Sequence, residues 1–238
     1  MERYRRQIII DSFGIKGQER LRSAKVLVVG AGGLGSAICY YLTAAGVGRL
    51  GIVDSDRVDE GNLQRQILYT SQDIGRYKVD SAKEKLERLN PEVKIDIYPI
   101  TLNEDNITDL IDRYDMVVDA LDNIRTRMLV NREICIQRKP FFHGAVWAFE
   151  GRALTILPGR GACLACFMSE DMEAKGEIPV LGTTPAIIGC IEATEVIKYI
   201  VGIGELLVGR YLVYDGLNME MKEFRLNRNP RCIHCRDI

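Results

Sequence analysis

Four of the seven cysteines fall in two pairs, Cys163-Leu-Ala-Cys166 and Cys232-Ile-His-Cys235. Two CxxC knuckles about 65 residues apart offer four thiolates, the donor set of a closed, tetrahedral, structural zinc site. Zinc bound there would clip the C-terminal tail to the loop around residues 158–167. A redox role would need a CxxC at the start of a helix in a thioredoxin-like unit. Cys163 instead follows Pro-Gly-Arg-Gly-Ala, and Cys232 follows Asn-Pro-Arg. His234, inside the second knuckle, is a spare donor that four cysteines make unnecessary. The remaining cysteines, Cys39, Cys135 and Cys190, lie in apolar, helix-like stretches and read as small buried hydrophobes.

The second constellation is glycine-rich: Gly30-Ala-Gly32-Gly33-Leu-Gly35. Glycines at this spacing let a backbone turn tightly and approach a phosphate, and the N–H groups of a following helix attract the anion. Asp54 lies about 20 residues on, where a carboxylate would take the ribose hydroxyls. A nucleotide site follows, but a dinucleotide dehydrogenase carries the same pattern. The polar run from Asp56 through Asn62, Arg65 and Gln66, with Lys78 beyond it, separates the two. A reacting triphosphate needs cations to neutralise it, and an adenosine pocket does not. Asp122, in Asp119-Ala-Leu-Asp122-Asn123, either caps the next helix or coordinates Mg²⁺ on the phosphates. The company of Arg65 and Lys78 favours the metal. The two histidines offer little for proton transfer: His143 reads as structural and His234 belongs to the knuckle.

These residues need a scaffold, and the hydrophobic pattern describes one. Residues 25–29, 50–54, 93–97 and 116–120 read as strands, and a fifth begins in 140–144. Helices are expected over 34–45, 78–90, 103–112 and 123–138. Alternation of this kind specifies a doubly wound, Rossmann-like, mostly parallel sheet. From about residue 146 the pattern changes: 146–157 and 210–224 read as antiparallel strands that extend the sheet, and 185–201 as a helix. No linker divides the 238 residues, so one domain is expected: an arm and helix (1–24), a nucleotide-binding half (25–145) and a carrier-binding and zinc half (146–238). Composition is ordinary for a globular chain: 47% hydrophobic, 27% charged, net charge −1. That balance argues against a nucleic-acid binder. No apolar run is long enough to span a membrane, no signal peptide is evident, and a cytoplasmic location is expected.

Taken together, the motifs resemble the MoeB/ThiF/HesA family, the adenylating relatives of ubiquitin-activating enzymes. The matching residues are Arg3-Tyr-Arg-Arg6-Gln-Ile, the loop from Val29 to Gly35, Asp54-Ser-Asp56, Asn62-Leu-Gln-Arg-Gln66, Gly75-Arg-Tyr-Lys78, Asp119-Ala-Leu-Asp122-Asn123 and the two knuckles. They span essentially the whole chain. The branch serving molybdopterin synthesis is nearest in order and register, with the thiamine branch almost as near.

The resemblance implies an activity. ATP would adenylate the C-terminal Gly-Gly carboxylate of a small ubiquitin-like sulfur-carrier protein, releasing pyrophosphate and preparing the carrier for thiocarboxylation. It implies that Gly33 packs on the phosphates and that Asp54 holds the ribose. Asn62, Arg65 and Lys78 would contact the phosphates and Asp122 would bind Mg²⁺. Arg6 would reach in from the other subunit of a homodimer. Some relatives carry a cysteine after the first knuckle for a covalent carrier link. Residues 169–184 hold none here, and Cys190, beside Ile187, Ile188 and Ile191, is expected to be buried. The chain stops three residues after Cys235 with no sulfurtransferase domain following, so a separate sulfur donor protein is expected. Two alternatives stand beside this reading: a nicotinamide-dependent oxidoreductase, and a non-catalytic, zinc-stapled subunit of a heterodimer.

Overall fold

The computed structural model describes residues 2–169, 172 and 176–238. After an N-terminal arm with the short helix α1 (Arg5–Ile8) and then α2 (Gly14–Ser23), the chain alternates: β1 (Lys25–Val29), α3 (Gly33–Ala45), β2 (Arg49–Val53), α4 (Lys78–Leu89), β3 (Lys94–Tyr98), α5 (Ile107–Asp112), β4 (Met116–Asp119), α6 (Ile124–Gln137). The hairpin β5 (Phe141–Trp147) and β6 (Glu150–Ile156) follows, then α7 (Thr183–Val201), and the hairpin β7 (Arg210–Asp215) and β8 (Glu220–Arg225).

All eight strands form one sheet, ordered β3-β2-β1-β4-β5-β6-β7-β8. Pairings among the first five strands are parallel, and the last three strands add on antiparallel. This is the doubly wound sheet with antiparallel extension that the hydrophobic pattern predicts. The order reverses between β1 and β4, and the crevice at their C-terminal ends is where ligands bind in such sheets.

Side chains alternate across β1 and so build two cores. Val26 and Val28 join Leu34, Ile38 and Leu42 of α3, Leu86 of α4 and Val196 of α7 on one face. Leu27 and Val29 join Ile107 of α5, Ile134 of α6 and the knuckle cysteines on the other. Both faces are covered, which is why the parallel strands read as continuous apolar runs.

Most boundaries lie within a residue of the sequence expectation, and the span expected as a strand over 210–224 is the hairpin β7–β8; three other differences have a local cause. The helix expected from residue 103 starts at Ile107, because Asn103 Oδ1 accepts the N–H groups of Asp105 and Asn106 and forms a turn instead. Val146 and Trp147 finish β5 rather than opening a new strand; Ala148, with φ of 50°, reverses the chain there. Helix α7 begins two residues before Pro185, since a proline fits a helix's first turn.

Candidate functional site

The glycine loop lies at the sheet's reversal point. Gly30 has φ of +100°, and a Cβ there would lie 2.4 Å from the Ala120 carbonyl oxygen beyond β4. A Cβ on Gly35 would lie 2.3 Å from the Gly30 carbonyl oxygen. These two glycines let β1, α3 and the end of β4 meet. Gly32 is different: a Cβ would find nothing nearer than Gln66 Nε2, at 3.7 Å. It is also the N-cap of α3 and supplies no capping side chain. The first-turn N–H groups therefore keep their capacity for an anion. A Cβ on Gly33 would meet Pro185 of α7 at 3.0 Å, and the Arg65 stem lies just beyond.

Asp54 follows β2 and braces this loop. Its Oδ2 accepts the Ala31 N–H at 2.8 Å, and its Oδ1 accepts the Asp56 N–H at 2.8 Å. Burial raises its pKa above the ordinary carboxylate value, with Lys78 nearby pulling the other way. Lys78, the first residue of α4, is buried and pairs with the exposed Asp56 through Nζ and Oδ2, 2.8 Å apart. Tyr69 supports the loop from beneath, donating to the Ala31 carbonyl at 2.8 Å.

Residues 60–66 run alongside. Asn62 belongs to a capping box with Asp59, its Oδ1 accepting the Asp59 N–H, which leaves its NH₂ available. Arg65 donates to the Gly61 carbonyl at 3.0 Å and makes no ion pair among the described residues. Gln66 is buried with Oε1 unpartnered, directly beside Gly32. An unneutralised guanidinium, a spare amide and open helix N–H groups around one loop suit a polyphosphate.

Opposite, at the C-terminal end of β4, the two aspartates differ. Asp119 is fully buried and accepts from Arg127 Nε at 2.7 Å and from the Leu121 N–H at 3.0 Å, with His143 Nδ1 at 2.6 Å. Burial opposes its charge, but the Arg127 guanidinium and His143 outweigh it and hold its pKa below the usual range. Asp122 is exposed, its closest polar contact being Asn123 Nδ2 at 3.5 Å. It does not cap α6: Asn123 does, accepting the Thr126 N–H at 2.9 Å. A free carboxylate at a sheet's C-terminal edge can share a hard cation with phosphates. His143 is held in place by Asp119, and burial lowers its pKa.

Arg6 lies elsewhere. Gln7, next to it, donates to the Ala45 carbonyl, and Tyr4 packs on Gly46, both at the C-terminal end of α3. The glycine loop is at the other end of that 13-residue helix, about 20 Å away. Arg6 is exposed and makes no ion pair among the described residues.

The four knuckle cysteines do converge. Their sulfurs all lie within 4.8 Å of one another. Cys163 to Cys232 and Cys166 to Cys235 are 3.5 Å, and Cys163 to Cys166 is 4.0 Å. Sulfurs about 2.3 Å from a tetrahedral ion would sit about 3.8 Å apart, so the set fits a metal. His234 is not in the cluster; its Nδ1 meets Asn131 Nδ2 instead. Cys39 and Cys135 are buried as expected. Cys190 corrects the expectation: it is only partly buried and lines a surface groove with Ala186, Ile187, Ile191 and Thr194, because it lies on a face of α7 that the core does not fully cover. The cysteine-free stretch 169–184 lies partly outside the described residues, at 170, 171 and 173–175.

Sequence reasoning missed Arg127, Asn131, Tyr69 and Glu192. Arg127, Asn131 and Glu192 are polar residues in helices whose buried face becomes known only when the sheet is assembled, and Tyr69 lies in the irregular segment between β2 and α4. Glu192 of α7 is 1% exposed, with neither carboxylate oxygen partnered, and it lies against Gly144. Burial drives its pKa well above the carboxylate range.

Comparison with known proteins agrees with this geometry. The ThiF family model matches residues 4–234. A sulfur carrier protein adenylyltransferase of Thermus thermophilus is 41% identical, covering 100% of this chain and 91% of that protein. The SAMP-activating enzyme E1 of Haloferax volcanii is also 41% identical, over 99% of this chain and 88% of its own. A probable adenylyltransferase/sulfurtransferase MoeZ of Mycobacterium tuberculosis, again 41% identical, is covered over 60% of its length. E. coli MccB solved with succinimide shares the fold, with a TM-score of 0.89 over 98% of this chain and 73% of that one, at 21% identity. No helix among the described residues is long and apolar enough to cross a membrane.

Proposed function

The chain belongs to the ThiF family, and from that membership we propose that it is an adenylyltransferase that activates the C-terminal carboxylate of a small, ubiquitin-like sulfur-carrier protein with ATP. The observation that carries the reading is the grouping, at the reversal point of the sheet, of a helix start with no capping side chain, the buried Lys78, and Arg65 and Asp122, which make no ion pair among the described residues.

A peptide's terminal carboxylate has a pKa of about 3.5 and is ionised at neutral pH, so it needs no general base to attack the α-phosphorus. That matches a site whose buried histidine is committed to Asp119. The barrier is the approach of an anion to a polyanion, which positioned cations lower. In this reading the Gly30–Gly35 loop receives the phosphates. Asp54 takes the ribose hydroxyls on its spare lone pairs, with Asp56 and Gln66 lining the pocket. Asn62, Arg65 and Lys78 hold the phosphates, Lys78 exchanging part of its contact with Asp56 for them. Asp122 would hold Mg²⁺, which supplies charge neutralisation. Cys163, Cys166, Cys232 and Cys235 would hold zinc in a closed site that joins the tail to the 158–167 loop.

The assembly proposed is a homodimer. Arg6 sits a helix length from its own chain's loop, and Ile9 and Ile10 beside it are 62% and 52% exposed, an apolar surface suited to a second copy. One domain spans 1–238, and the 146–238 half would receive the carrier. Exposed Trp147, Phe149, Leu217, Met221 and Phe224 on its hairpins supply apolar contact area. Sulfur would come from a separate donor protein. Four thiols kept for a metal suit a reducing compartment, the cytoplasm.

The test is pyrophosphate exchange into ATP, with the Gly-Gly-ending small proteins of the same organism as candidate carriers. Exchange that needs one such carrier, and its last glycine, is expected. Exchange without any carrier, or none with all of them, would overturn the reading.

A further inference from the structure

Asn131 of α6 has no solvent exposure, and its amide is divided between the two knuckles. Its Oδ1 accepts the Leu164 N–H at 2.9 Å, and its Nδ2 lies 2.7 Å from His234 Nδ1. An amide oxygen that accepts a backbone N–H fixes which way the amide faces. Nδ2 therefore donates, and His234 Nδ1 is the acceptor. Leu164 lies between Cys163 and Cys166, and His234 between Cys232 and Cys235. One buried side chain thus bonds to both halves of the four-sulfur cluster.

The same helix holds the nucleotide side. One turn before Asn131, buried Arg127 bonds to Asp119 and donates through Nη2 to the carbonyls of Leu121, at 2.6 Å, and Gly144, at 3.0 Å. Asn123 caps the helix start. Leu121 and Asn123 flank Asp122, so that loop is fastened to α6 on both sides. At 1.5 Å per residue, Asp122 and Asn131 are about 13 Å apart along the axis.

We propose that Asn131 is a positioning residue that docks both CxxC knuckles onto α6, and that through this helix metal occupancy and Mg·ATP binding are thermodynamically linked. The docking half stands on the sulfur cluster alone; the linkage half also rests on the nucleotide reading of Asp122. Without a metal the knuckles lose what joins them, and the partners of a buried amide separate at a cost. The seat of α6 then relaxes, and the loop at its start relaxes with it. Linkage is reciprocal: Mg·ATP must tighten the metal by the factor by which the metal tightens Mg·ATP.

The experiment measures zinc affinity by competition with a chromogenic chelator, and the absorption of the cobalt-substituted protein, for wild type, Asn131→Ala, His234→Phe and the double variant. Asn131→Ala should weaken zinc about 10- to 100-fold and change the cobalt spectrum, since partners that orient metal ligands have effects of that size. His234→Phe, a change at a half-buried surface position, should weaken it less, and adding it to Asn131→Ala should weaken zinc no further. In wild type, zinc affinity should rise when Mg·ATP is bound, and that rise should shrink in Asn131→Ala. Wild-type zinc affinity in both single variants would overturn the docking role; if Asn131→Ala does not fold, His234→Phe decides it. Equal zinc affinity with and without bound Mg·ATP would overturn the linkage. If Mg·ATP does not bind at all, the nucleotide reading and the linkage both fail, and the zinc affinities still decide the docking role.

Discussion

Lys78 and Asp56 form an ion pair at 2.8 Å whose halves lie in different surroundings: the Lys78 side chain is 7% exposed and the Asp56 side chain 66%. The ammonium is fixed by packing, while the carboxylate is free to be displaced by a phosphate. Lys78→Met should lower carrier-dependent exchange about 100- to 1,000-fold, the usual effect of removing one charge-stabilising donor. Exchange at the wild-type rate in Lys78→Met would remove Lys78 from the site.

Asp122 and its neighbour Asn123 make a clean contrast. Asn123→Ala should cost about 1 kcal/mol of stability, because it removes the α6 cap. Asp122→Ala, at an exposed position with no short contact, should change stability by less than about 0.5 kcal/mol yet lower Mg²⁺-dependent exchange by orders of magnitude. Denaturant melts and exchange assays on the two variants check both halves.

The position of Arg6 predicts complementation. Arg6→Ala and Asp122→Ala homodimers should each be nearly inactive. An unbiased mixture refolded together gives about half heterodimers, each with one intact site, and so about a quarter of wild-type activity. No recovery in confirmed heterodimers would show that Arg6 does not act across the subunit boundary.

Glu192 predicts a pH effect of definite sign. Its folded pKa is raised well above 4.5 by burial, so the folded state binds a proton that the unfolded state releases. That contribution is fully present below about pH 4.5 and is lost as pH rises towards the folded value, by at most about 1.4 kcal/mol per pH unit. Relative to wild type, Glu192→Gln should therefore gain stability as pH rises from 4.5 to 8. A difference independent of pH would mean that Glu192 is ionised in the fold.

Much of this was legible in the chain. Continuous apolar runs and helices of period 3.6 announce a doubly wound sheet, and the glycine loop, Asp54 and the two CxxC pairs are signals local in sequence, because tight turns and thiolate pairs have short-range requirements. Asp122 was ambiguous for the same reason: cap and metal ligand use one residue type at one position, and only the bond from Thr126 N–H to Asn123 releases Asp122. Cys190 was misjudged because an apolar helix segment does not say which of its faces meets the sheet. Tertiary structure alone decided the long-range pairings: Asp56 with Lys78, Asp119 with Arg127 and His143, and Asn131 with both knuckles. Their sequence separations carry no periodic signal, and their partners are chosen by which faces the assembled sheet buries, where an unpaired polar group is costly. The same holds for Arg6, whose distance from its own glycine loop is the length of α3.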